Sequence, residues 1–153
     1  MKKDLSLFLV FCAILITLAF FWLFTPPKKE ANFSAEIKGE LFSLEIANQP
    51  EQWVQGLSGQ QSMADNQGLL FIFPDYKQRS FWMKDMLFAI DILWLKDNEV
   101  VGFAKNVPPP PLGTSDSDLE SYISPLPINM VLEVVAGTVD RLDIEKGDII
   151  SLK

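Results

Sequence analysis

The chain has 153 residues and a formal charge of −7, with no histidine and a single cysteine. Without histidine, neither a Ser-His-Asp nor a Cys-His nucleophile can be assembled, zinc and redox metals lose their usual ligands, and one cysteine excludes an intrachain disulfide. The acidic balance has the wrong sign for a nucleic-acid groove or an anionic-lipid surface.

Leu5 to Phe24 are twenty uncharged, mostly apolar positions, LSLFLVFCAILITLAFFWLF. A helix of that length measures about 30 Å, the thickness of the hydrocarbon core. The run is longer than a signal-peptide core and leaves through Thr25-Pro26-Pro27 without an Ala-x-Ala site, so it predicts an uncleaved single-pass anchor over 5–24. The alternative is secretion after signal-peptide cleavage. Cys12 falls mid-helix, away from any lipid-modified mature N-terminus. The basic start places the N-terminus in the cytoplasm and the rest in the periplasm or outside the cell. Residues 25–32 then serve as a linker to a globular domain over 33–153. From Lys28 onward 11 basic residues face 19 acidic ones.

The domain opens with alternation. Phe33, Ala35 and Ile37, then Phe42, Leu44 and Ile46, predict a hairpin turning at Gly39. Asn48 with Pro50 and Glu51 has the spacing of a helix cap, and Trp53, Val54 and Leu57 give the short helix an apolar face. After a polar loop, Leu69 to Phe73 read as a central strand stopped by Pro74. Two further strands follow, Ser80 to Lys84 and Ile90 to Leu95. Period-two alternation sets Ile90, Ile92 and Trp94 on one face and Asp91, Leu93 and Leu95 on the other. Lys96 to Glu99 turn into a hairpin with Val100 to Ala104.

Asn106 to Pro127 differ in kind, with Pro108 to Pro111, Gly113 and a TSDSD run. That composition predicts an irregular loop of about 20 residues, serving either as a ligand-contacting lid or as a wrap over a sheet edge. A core strand, Asn129 to Val135, a short helix near Val139 to Leu142 and a last strand, Asp148 to Leu152, complete the chain. The fold class is mainly β (α+β by some criteria): a compact, largely antiparallel sheet or partly closed barrel with short helices, preceded by the transmembrane helix.

The order GLSGQ, GLLF, FWMKDM, IDILW, a proline-containing loop, YISPLP, VLEVVAG and KGD resembles the DUF192 family of small secreted or membrane-attached prokaryotic proteins. The resemblance covers about Leu41 to Leu152. The family's hallmarks fall on Gly56, Leu57, Gly68, Phe71, Phe81, Met83, Lys84, Asp91, Leu132, Glu133, Gly137 and Gly147. Gln60 stands where arginine is usual, and Leu69 where methionine is commoner. The resemblance implies a compact, mainly β domain with short helices, and no established substrate, cofactor or reaction.

Lys84, Asp91 and Glu133 are charges embedded in apolar sequence, and on separate strands they could converge. Together they are the catalytic candidates: Lys84 would compensate one carboxylate while Asp91 or Glu133 acts as a base or ligand. The competing reading is a buried ion-pair network that fixes strand register. Neither a cofactor nor a metal is expected, since Asp116, Asp118 and Glu120 make only a short acidic cluster without a calcium loop. A Ser-Lys dyad using Ser58 or Ser80 with Lys84 rests on proximity alone.

Taken together, the sequence predicts a membrane-anchored extracytoplasmic domain for binding or envelope-associated support, with a hydrolase using Asp91 and Glu133 with Lys84 as the alternative. Whether it is an enzyme stays open. Its partners are the lipid bilayer through residues 5–24 and an envelope ligand or protein of unknown identity, with no nucleic acid. Trp82, Met86, Phe88, Pro110 and Tyr122 form the expected recognition surface.

Overall fold

The computed structural model describes residues 33–153, so the expected anchor and linker lie outside the described residues. Among the described residues no helix is long and apolar enough to cross a membrane. β1 (Phe33–Ile37) and β2 (Glu40–Ala47) form the expected hairpin, turning through Lys38 and Gly39 at φ of 50° and 84°. Two consecutive positive φ values suit the mirror-image turn that matches strand twist.

Helix α1 (Pro50–Gln55) starts one residue later than the Asn48 cap predicts. Gln52 takes the reciprocal role expected of Glu51, its side-chain oxygen accepting the backbone N–H groups of Asn48 and Gln49 at 2.9 and 3.1 Å. Trp53 anchors the helix by donating from Nε1 to the Ala47 carbonyl at 3.0 Å, whereas Val54 points to solvent instead of joining an apolar face. The helix returns the chain so that β3 (Gln67–Lys77) runs parallel to β2, because a crossover rather than a hairpin connects them.

Pro74 does not end β3. The register against β8 (Ile128–Val135) shifts between Ile72 and Lys77, and the irregularity accommodates the residue without an N–H. The predicted strand from Ser80 to Lys84 contracts to β4 (Ser80–Phe81), which pairs with β7 (Tyr122–Ile123) in a two-stranded ribbon. β5 (Ile90–Lys96), β6 (Glu99–Val107) and β8 (Ile128–Val135) fall close to their predicted positions. A 3-10 turn at Asp116–Asp118, helix α2 (Thr138–Arg141) and β9 (Ser151–Leu152) complete the described elements.

The main sheet has the order β6-β5-β8-β3-β2-β1-β9, largely antiparallel and curled into a half-barrel. The C-terminal strip touches both edges. Val100 N–H donates to the Asp148 carbonyl at 2.9 Å and Ile150 N–H to that of Asn98 at 2.8 Å, while β9 pairs with Ala35 and Glu36 of β1. One face buries Phe42, Leu44, Leu70, Leu93 and Leu132 beneath Val139, Ile144 and Ile150. The other buries Phe71, Ile92, Trp94 and Val131 beneath Trp53, Leu57, Phe81, Met83 and Met86. Gly68 serves close approach: a Cβ there would lie 3.0 Å from both the Glu133 carbonyl oxygen and a Leu44 methyl.

Candidate functional site

The three candidate charges do not converge. Asp91 is paired across the sheet with Val134, on the face of Leu44 and Leu132. Glu133 is paired with Leu69 and Ile92, on the opposite face. Lys84 reaches neither, forming an ion pair with Asp116 of the proline-rich loop and lying 5.8 Å from the centre of the Trp82 ring. Its hydrogen bond to Asp116 holds its pKa above the ordinary lysine value.

The role of Asp91 follows from a bulge. Ile90 pairs with Val107 and Ile92 with Ala104, so Lys105 and Asn106 together oppose the single residue Asp91. Asn106 adopts φ 52° and its N–H donates to Asp91 Oδ1 at 2.7 Å. The second carboxylate oxygen accepts the Val139 N–H at 2.8 Å, in the first turn of α2. Asp91 is 0 % exposed, and both its oxygens are committed to backbone donors, of which the Val139 N–H would otherwise be buried unpaired. It ties β6 to α2 and does not pair with Lys84.

Glu133 has the reverse character. It is 5 % exposed, with no hydrogen bond from a described residue, and burial pushes its pKa up to about 8. The carboxyl group is therefore neutral through most of the physiological range. Among the described residues no three His, Cys, Asp or Glu side chains come together where they could hold a metal ion.

The expected recognition residues divide. Met86 is buried and belongs to the core, and Phe88 packs against the same cluster, because the Asp85 to Ala89 connection folds inward over the sheet. Trp82 is half exposed in a shallow depression with Val54, Gln55, Ser58, Gly59, Lys84 and Asp85. Pro110 and Tyr122 line a different feature, a cleft of about 230 Å³ whose walls also include Met83, Pro108, Pro111 and Leu119. Asp118 and Glu120 stand among its lining residues, and the Tyr122 hydroxyl donates to Glu120 Oε2 at 2.8 Å. Burial, then this bond, pushes the Tyr122 pKa up to about 12.

The loop that builds the cleft is pinned at its far end by Ser124, which is 0 % exposed. Its N–H donates to the Arg79 carbonyl at 2.9 Å, its hydroxyl accepts the Arg79 N–H at 3.0 Å, and the hydroxyl donates to the Leu126 carbonyl at 2.9 Å. Arg79 is itself held over the Phe73 ring at 4.0 Å and paired with Asp75. Pro125 packs where Gly102 leaves room, since a Cβ on Gly102 would meet it at 3.1 Å. Sequence reasoning missed Met83, Asp118, Leu119 and Glu120 as lining residues. The signal available for the last three was the loop's improbable length.

A crystal structure of a protein of unknown function from Novosphingobium aromaticivorans shares the fold, with a TM-score of 0.66 at 23% identity over 79% of this chain and 82% of that one. A putative transcription regulator from Sinorhizobium meliloti superposes with a TM-score of 0.67 at 27% identity over 82% of this chain and 96% of its own. No curated protein matches the chain. The family model of DUF192, described as Uncharacterized ACR, matches residues 33–152, the whole half-barrel with its proline-rich loop, and the chain belongs to that family.

Proposed function

We propose that the domain is a binding module whose ligand seats in the cleft between Pro108–Pro111 and Tyr122, presented outside the cell or in the periplasm by a membrane anchor over residues 5–24. The observation that carries this reading is the cleft itself. Its walls are mainly proline and other apolar side chains gathered by one long loop, and that loop is fastened to the core through Ser124. Prolines at four successive positions lower the entropy lost when a ligand orders them.

The hydrolase alternative has no comparable support. Asp91 and Glu133 lie on opposite faces of one sheet, and Asp91 has no free oxygen. The name of the Sinorhizobium protein suggests regulation of transcription, but residues 33–153 here carry 18 acidic and 9 basic side chains, a field that repels a nucleic-acid backbone.

The test is a photoreactive amino acid placed at Pro110 in the full chain in its native membrane, with a matched position in the Lys38-Gly39 turn as control. Adducts should form from position 110 alone and should disappear in Tyr122→Ala. Equal labelling from both positions, or none from either, sinks the cleft. Carbonate extraction and external protease treatment check the anchor separately: a product shortened near Thr25 in the soluble fraction would show cleavage instead.

A further inference from the structure

Building on the cleft as a binding site, we infer that its occupant is a short basic segment of a partner polypeptide, a lysine or arginine side chain flanked by apolar residues. The cleft's lining includes two carboxylates, Asp118 and Glu120, and no cationic side chain. Lys84, the cation next to the loop, is turned to Asp116. The Ser115 hydroxyl donates to Asp118 Oδ2 at 2.8 Å, as the Tyr122 hydroxyl does to Glu120 Oε2. Each bond fixes the direction of its carboxylate. Asp118 Oδ1 and Glu120 Oε1 have no hydrogen-bond partner among the described residues.

An occupant resting on Met83, Leu119, Tyr122 and the prolines stands against Asp118 and Glu120 of the same lining. A neutral apolar ligand offers those carboxylates no partner, whereas an ammonium or guanidinium group gives them a charge-assisted bond. The excess of acidic over basic residues across 33–153 attracts the same class of ligand.

Size and surroundings favour a polypeptide over a free amine. The volume of about 230 Å³ is below the roughly 300–1,000 Å³ of sites that enclose small molecules. Leu112, next in sequence to the lining residue Pro111, is 104 % exposed. A free amine would leave it in water, while an extended segment carrying apolar residues beside its basic one covers it.

The full chain in detergent micelles, titrated with a fluorescent LKLKLK amide at fixed ionic strength, tests this by anisotropy. Binding should weaken at least tenfold for an LQLQLQ peptide, and equally for an Asp118→Asn, Glu120→Gln double variant. Asp65→Asn with Glu145→Gln removes the same charge elsewhere and should stay within twofold of the wild type. Similar losses in both double variants would reduce the effect to a general field, and spermidine binding as tightly as LKLKLK would remove the polypeptide partner. Equal binding of LQLQLQ overturns the cation requirement while leaving the cleft standing. Failure of every probe, together with an absence of photoadducts at position 110, would remove the cleft as well.

Discussion

Glu133 holds a carboxyl group in an apolar layer between Leu69 and Ile92, and burial alone raises its pKa from 4.5 to about 8. A raised acid pKa means that the folded state keeps a proton which the unfolded chain gives up. The stabilising effect is complete below pH 4.5 and is lost as pH rises to about 8, by about 1.4 kcal/mol per unit. Across the window this is roughly 3–5 kcal/mol as an upper bound. Glu133→Gln keeps the shape without the charge, so urea unfolding at pH 5, 6.5 and 8 should show a flatter profile and higher stability at pH 8. An unchanged slope in the variant would assign the pH dependence to other groups. Asp91 predicts the opposite response to the same chemical change. Asparagine offers one acceptor oxygen where Asn106 and Val139 each donate an N–H, and turns an NH2 group toward one of them. Asp91→Asn should cost about 2–4 kcal/mol at neutral pH in the same measurement.

At the scale of elements, periodicity gave the sheet and missed its wiring. Alternation along β5 correctly separates Asp91 from Ile90 and Ile92, because a buried strand has to sort its side chains by face. What it leaves open is the register of β8 against β5, and that register alone decides that Glu133 lies opposite Ile92 rather than beside Asp91. The partner of Lys84 was equally invisible, since Asp116 lies 32 residues further on in a segment without periodicity. The parallel return through α1 was hidden for another reason: a six-residue helix and a polar loop give no sign of which sheet edge they lead to. The proline-rich loop could be recognised by composition, but its attachment rests on one serine among many. Ser124→Ala removes the hydroxyl that links the Arg79 N–H to the Leu126 carbonyl and leaves both backbone groups without that partner in a part-buried place. It should cost about 1–3 kcal/mol. Amide exchange should accelerate across 108–123 more than in β8, and uniform acceleration would mean that Ser124 supports the core generally.

Over the whole domain, the sheet's curl leaves β6 and β1 as separate edges, and one strip of chain after α2 bonds to both. Open edges with unpaired N–H and C=O groups invite pairing with other chains, and this strip covers them while its apolar side chain closes the core from the end. Ile150 is that side chain, 1 % exposed among Ile144, Val139 and the β1–β2 residues. Its neighbours Ile149 and Ser151 face outward, so the strip's attachment depends on one buried anchor and a few backbone bonds to Asn98, Val100, Ser34 and Glu36. Ile150→Ala should therefore cost about 2–4 kcal/mol through the cavity it leaves, and the loss should reach beyond the cavity. If the strip acts as a clasp, amide protection falls together at β1 and at the start of β6, which are far apart in the strand order, while β3 and β8 in the centre exchange only by global unfolding. Loss of protection confined to residues 148–153 would show that the half-barrel holds its curl without the strip, and that the two edges are stabilised independently.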